Sequence, residues 1–238
     1  MNFIDFFKDS DVVFPLQKQQ LHHDVFLAKS NIEMLIATQS GSYFAMPSYM
    51  QHASAKRQHE FFVGRLLAQS LLWQCYGLHY NITDEKQRLP IWPTGTLGCI
   101  SHHAETAVVL VSQSALYLGV DVERYIDACQ ADAMLPLLLQ RQEQQNYWRV
   151  LQQHLGTSPA LTLLFSAKES LYKAIYPHVQ HYVDFLEASL IALDLEQQRL
   201  GFCLRAELTK QHQLLPCYWI YWQMNEHEVL TWAWQAST

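Results

Sequence analysis

Cysteine is scarce here and badly spaced for a framework. The five residues (Cys75, Cys99, Cys129, Cys203, Cys217) are odd in number, scattered, and never spaced C-x-x-C. That argues against a disulfide scaffold or a structural zinc and for a reducing compartment, with all five expected as small buried apolar residues. Long apolar runs are missing too. The most hydrophobic segment, 61–73, is broken by Gly64, Arg65, Gln69 and Ser70, so no membrane span is expected. Residues 1–9 lack the basic start and apolar run of a signal peptide, and the expected location is the cytoplasm. Positive charge is in deficit, 16 Lys and Arg against 22 Asp and Glu, a net charge of −6. This excludes the basic footprint of a nucleic-acid binder, so any phosphate site must be assembled locally from a few Lys, Arg and His residues.

What is present is a globular composition, 50% hydrophobic over 238 residues, enough for one domain or two small lobes. Residues 1–54 give little signal beyond a strand expected at 32–37. A helix is predicted over 54–76, closed by Gly77, with Arg57 and Arg65 roughly on one face. After a polar loop ending in Arg88-Leu89-Pro90-Ile91-Trp92-Pro93, strands are predicted at 97–103, 106–112 and 116–123, read as an antiparallel meander. Residues 125–157, rich in Gln and Leu, read as a helical, partly mobile arm. A central helix follows from Ser158-Pro159 to Pro177, with a buried stripe of Leu161, Leu164, Phe165, Leu171 and Ile175. Four more strands are predicted at 185–193, 201–208, 217–223 and 228–234. Helix then strands, twice over, implies an α+β fold with antiparallel sheets.

Two stretches carry chemistry. In Leu118-Gly119-Val120-Asp121-Val122-Glu123, strand alternation puts both carboxylates on one face and the valines on the other. Paired carboxylates repel unless a cation sits between them; an acidic edge strand facing water is the equal alternative. In Phe165-Ser166-Ala167-Lys168-Glu169-Ser170-Leu171-Tyr172-Lys173-Ala174, Glu169 and Lys173 share a helical face. They fit an i,i+4 ion pair, a Ser166-x-x-Glu169 capping box, or a metal ligand beside a phosphate anchor. Three carboxylates make a hard oxygen site suited to Mg²⁺. Lys173 supplies a point charge for phosphate, and His102, after Ser101, a donor to another. Together they point to phosphoryl-type transfer, where positioning and charge neutralisation supply most of the catalysis.

At this point the chain resembles the 4′-phosphopantetheinyl transferases, of the surfactin/enterobactin type and nearest its enterobactin-synthase group. Gly119-Val120-Asp121-Val122-Glu123 paired with Phe165-Ser166-Ala167-Lys168-Glu169-Ser170-x-x-Lys173-Ala174 carries the resemblance, with Pro90-Ile91-Trp92-Pro93, Gly98-Cys99-Ile100-Ser101-His102 and Arg57…Arg65 in the same order. Cys99 stands where serine is commoner in the family, and His103 follows His102 where cysteine often stands; Ser101-His102 is the better match. The resemblance implies transfer of the phosphopantetheine arm of coenzyme A to a serine of an apo acyl or peptidyl carrier protein, releasing adenosine 3′,5′-bisphosphate. It implies Asp121, Glu123 and Glu169 as Mg²⁺ ligands, with Lys173 and His102 on the phosphates. It implies Arg57, Arg65 and Arg88 at the 3′-phosphate and adenine end, with Ser101 beside them. The serine proton goes to Glu169 or to a metal-bound water. The implied fold is two similar α+β halves, each an antiparallel sheet plus a long helix, packed as a pseudo-dimer in one monomer. The boundary falls near Gly119, giving 1–118 and 119–238. Carrier docking is expected from apolar contacts and local charges, such as Arg141 and Arg149 with Met134 and Leu138. The alternatives are a Mg²⁺-dependent nuclease, disfavoured by the acidic charge, and a non-catalytic carrier-binding module, disfavoured by the intact carboxylates and Lys173.

Overall fold

The computed structural model describes residues 16–33, 47–82, 89–103 and 105–236. The chain divides into two compact units, Met1–Ala115 and Leu116–Thr238.

The first unit is a four-stranded antiparallel sheet covered by one long helix. Its strands are β1 (Gln17–His22), β2 (Val25–Asn31), β3 (Leu97–His103) and β4 (Thr106–Ser112), in the order β1-β2-β4-β3. The β1–β2 hairpin was not legible because β1, Gln-Lys-Gln-Gln-Leu-His, is a polar, exposed edge strand without alternation. The strand expected at 32–37 is displaced. β2 ends at Asn31, and Ile32 is buried in helical backbone, while 34–37 lie outside the described residues. Helix α1 (Ala55–Tyr76) matches its reading. Ser54 caps it through Oγ, which accepts from Arg57 N at 3.3 Å. Gly77 ends it at φ 66°, its N–H donating to Trp73 O at 2.9 Å. Val63, Leu66, Leu67, Leu71 and Leu72 on α1 meet Ala28, Val109 and Val111 of the sheet in one core.

The second unit has five strands: β5 (Ala115–Arg124), β6 (Ala188–Asp194), β7 (Arg199–Leu204), β8 (Cys217–Met224) and β9 (Glu228–Ala236), in the order β5-β9-β8-β7-β6. This corrects the meander, since β3 and β4 pair while β5 joins the second sheet beside β9. Asp24 Oδ2 accepts from Ser112 Oγ at 3.1 Å and Gln113 N at 2.6 Å, which pins the turn out of β4. Helices α2 (Ala131–Leu138), α3 (Arg149–Leu155), α4 (Thr157–Val179) and α5 (Ala206–His212) complete the unit, with a π-helical turn, Gln144–Trp148, before α3. The supposedly mobile arm is packed: Leu135, Leu138, Leu139, Trp148 and Leu151 enter the core with Leu161, Leu164, Leu171 and Ile175 of α4. Leu138, at 1% exposure, is therefore no docking contact, although Arg141 and Arg149 are exposed.

Three further expectations are corrected. Pro177 sits inside the last turn of α4 rather than ending it; its missing N–H costs one bond, while burial of Val179 holds the turn until Gln180 at φ 54°. The stretches expected as strand at 185–187 and 206–208 are a 3₁₀ turn, Phe185–Glu187, and the start of α5. Finally, Cys203 and Cys217, directly opposite on β7 and β8, form a disulfide. Cys129 is exposed and Cys75 half-buried, so only Cys99 is the buried free thiol expected. Among the described residues no helix is long and apolar enough to cross a membrane. Two antiparallel sheets with their helices make the fold α+β, as read from the sequence.

Candidate active site

The second unit brings its carboxylates together through close packing. Strand β5 runs against α4 at Gly119, where an added Cβ would lie 2.7 Å from Ala174 N and closer still to Ser170 O. Small residues continue this contact onto β9. Ser166 Oγ and Thr231 Oγ1 are 2.9 Å apart, Ser170 Oγ and Thr231 Oγ1 2.6 Å apart, and all three residues are fully buried. Ser166 therefore lies mid-helix against the sheet, and the capping box with Glu169 does not form.

With the strand this close, Asp121 meets Lys173 of α4, and Glu123 lies in the field of Lys173 and Glu169. Asp121 is 2% exposed, and its Oδ1 accepts from Lys173 Nζ at 2.6 Å. Lys173 thus reaches across to the strand instead of pairing along its own helix. The three carboxyls and the ammonium share one electrostatic field. Desolvation, then Asp121 and Glu169, push the Glu123 carboxyl up to about 7 against the pull of Lys173. Burial raises Glu169 as well, with Asp121 adding to the rise and Lys173 opposing it. The donors are hard oxygens of the kind Mg²⁺ prefers. Among the described residues no trio of His, Cys, Asp or Glu closes tightly enough to grip an ion unaided. Lys173 neutralises Asp121.

Lys168, one residue before Glu169, points elsewhere, to Phe185 O and Ala188 O. It is 2% exposed, and burial lowers its ammonium to about 8, opposed by Glu143 and Asp184.

In the first unit, β3 alternation separates the two histidines. Gly98 lies under the Trp92 ring and Ile100 against Gly64 of α1, so His102 shares their helix-facing side and His103 takes the other. His102 Nδ1 is 3.6 Å from Glu60 Oε2, which also lies 3.8 Å from Arg57, while Glu60 Oε1 lies 3.9 Å from Lys56. Glu60, buried beside Lys56, Arg57 and His102, escaped sequence reasoning. Its spacing of four from Gly64, whose side chain is missing, was the available signal. Ser101 is buried on the opposite face of β3. Arg65 is 6% exposed, its guanidinium 4.6 Å over the Phe61 ring, and burial lowers it to about 10. Arg57 stays at the surface, so the two arginines stand in different environments. Arg88 lies outside the described residues.

Known proteins match in the same order. Residues 46–112 match the family model described as the 4′-phosphopantetheinyl transferase N-terminal domain, and residues 117–227 match the 4′-phosphopantetheinyl transferase superfamily. The chain is 31% identical over 188 residues to enterobactin synthase component D of Escherichia coli O157:H7, covering 78% of this chain and 82% of that one. It is 36% identical over 131 residues to enterobactin synthase component D of Salmonella typhimurium, 55% of this chain and 53% of that one. It is 30% identical over 148 residues to 4′-phosphopantetheinyl transferase Svp of Streptomyces mobaraensis, 60% of this chain and 58% of that one. With both halves matched and most of a curated relative covered, the chain belongs to the 4′-phosphopantetheinyl transferase superfamily and is an enzyme of that activity.

Proposed function

We propose that Asp121, Glu123 and Glu169 hold Mg²⁺ while the phosphopantetheine of coenzyme A is transferred to a serine of an apo acyl or peptidyl carrier protein. The observation that carries this reading is the carboxylate group around buried Asp121. Three carboxyls share one field beside a single ammonium at 2.6 Å from Asp121, and burial pushes Glu123 up to about 7. Carboxylate oxygens of this kind are the donors a divalent cation prefers. Mg²⁺ bound there would neutralise the pyrophosphate and the departing bisphosphate.

The chain's own residues do the rest. Lys173 swings its ammonium between Asp121 and a pyrophosphate oxygen. His102, with Ser101 on the same strand, donates to a second phosphate, and Arg57, Arg65 and Arg88 hold the 3′-phosphate and adenine end. The carrier serine oxygen forms a bond to the phosphorus bearing pantetheine as the pyrophosphate P–O bond breaks. The leaving group is adenosine 3′,5′-bisphosphate. Glu169 or a water at the site takes the serine proton.

The name of these relatives, enterobactin synthase component D, favours a carrier of siderophore assembly. At a net charge of −6 the enzyme would meet an acidic carrier through apolar contacts and local charges, as a monomer in the cytoplasm. The test is intact mass after incubation with coenzyme A, Mg²⁺ and several apo carriers. One phosphopantetheine is gained, and Glu169→Ala abolishes the gain. A full gain by Glu169→Ala, or none by the native enzyme on any carrier, overturns the reading.

A further inference from the structure

Lys168 is a buried cation with no part in the chemistry above. Its side chain leaves α4 about 100° round from Glu169 and runs into the core. There the ammonium donates to Phe185 O and to Ala188 O, both at 2.6 Å, and lies 5.4 Å from the Phe202 ring centroid. Those carbonyls belong to the 3₁₀ turn after α4 and to the first residue of β6. A group so held, at 2% exposure, has no reach to a phosphate.

A second buried charge braces the same place. Glu143, 6% exposed, accepts from Leu190 N of β6 through Oε1 at 2.6 Å and from Gln140 N through Oε2 at 2.7 Å. Its carboxylate attracts the Lys168 ammonium, as does Asp184. Asp184 itself accepts from Leu186 N at 2.8 Å and so shapes the 3₁₀ turn. Lysine, glutamate and aspartate thus join three segments, α4, the 140–143 corner and the entry to β6, through charge-assisted hydrogen bonds.

We propose that Lys168 is a positioning residue: with Glu143 it locks the entry of β6 and the 140–143 corner onto α4, and so fixes the direction in which Glu169 leaves the helix. The inference rests on the reading of Glu169 as a metal ligand. It assigns the first lysine of the Lys168-Glu169 pair to the fold of the site, leaving Lys173 as the ammonium that faces phosphate. A ligand whose support is loosened loses metal affinity, typically by tenfold or more.

The test compares the native enzyme with Lys168→Met and Glu143→Gln. Each is titrated with Mg²⁺ in the carrier-loading assay, the KM for coenzyme A is measured, and amide exchange is followed across 185–190. Lys168→Met is expected to raise the half-saturating Mg²⁺ concentration by about tenfold, with the coenzyme A KM within about twofold. Exchange at 185–190 is expected to quicken by at least about tenfold. Glu143→Gln, which keeps the volume and one acceptor, shifts the same quantities in the same direction by less. If Lys168→Met does not accumulate as folded protein, Glu143→Gln decides by the same readouts. Unchanged Mg²⁺ dependence in the folded variants overturns the inference, as does a loss confined to the coenzyme A KM. A native enzyme whose activity ignores Mg²⁺ would instead remove the metal reading, and the exchange comparison would still show whether the clamp exists.

Discussion

Lys173 Nζ stands 2.6 Å from Asp121 Oδ1, a bond from the fifth turn of α4 to strand β5. The aspartate side chain is 3% exposed and the lysine 26%, so the carboxylate depends on this cation far more than the lysine depends on it. Lys173→Met should therefore destabilise the metal-free protein by about 1–3 kcal/mol, the cost of leaving a buried charged acceptor without its partner. Mg²⁺ should restore part of that loss while leaving turnover low, because the phosphate contact is gone. Thermal melts in EDTA and in Mg²⁺ read both effects; equal melting of variant and native protein in EDTA would show that the pair adds nothing.

Glu123 supplies a pH signature. Its folded carboxyl titrates at about 7 against 4.5 in the free residue, with desolvation as the first cause. The folded state binds the extra proton, so this contribution to stability is full below about 4.5 and is lost as pH rises through 7. Mg²⁺ favours the ionised carboxylate and should oppose the loss. The rise in Tm on adding Mg²⁺ is expected to grow between pH 6 and 8, by roughly 2–4 °C for each kcal/mol. In Glu123→Gln that growth should disappear. A Mg²⁺ effect equally large at pH 6 and pH 8 in the native protein would contradict it.

Period and spacing made much of this legible. Alternation alone set Asp121 and Glu123 on one face of β5. A four-residue step set Glu169 and Lys173 on one face of α4, and the Ser54 and Gly77 signals bounded α1. Long-range relations were hidden. Nothing in the local pattern shows that Lys173 bonds Asp121, that β5 pairs in the second sheet, or that Glu60 gathers Arg57 and His102. The burial of Ser166, Ser170 and Thr231 was hidden as well, because it depends on how closely the sheet approaches. Polar β1 concealed an edge strand, and Leu208 in α5 was read as the end of a strand.

The Cys203–Cys217 pair closes a loop with sequence separation 14, which contains α5. By loop-closure entropy such a link stabilises by about 3 kcal/mol. Reduction should then lower Tm by roughly 6–12 °C, and the double replacement Cys203→Ser/Cys217→Ser should melt like the reduced protein. Identical melting with and without reductant, with both thiols counted as free in each sample, would mean that the pair is not bonded in solution.

Gly119 provides the sharpest test of how the site is assembled. Its α-carbon lies so near α4 that a methyl group would sit 2.7 Å from Ala174 N, with Ser170 O nearer still. Both are helix backbone atoms, which cannot swing aside as a side chain can. Gly119→Ala must therefore push strand and helix apart, at a cost of about 1–3 kcal/mol for overpacking. The separation falls where Asp121 meets Lys173, so activity should drop by more than stability alone accounts for. The expected result is a folded protein with a lower denaturant midpoint, at least about tenfold lower turnover and a higher Mg²⁺ requirement. Gly77→Ala is the control. It is strained by φ 66° but has no atom within 4 Å of the added carbon, so it should lose stability and keep its Mg²⁺ requirement. If Gly119→Ala loses stability alone, close approach of β5 to α4 is not what sets the carboxylate geometry.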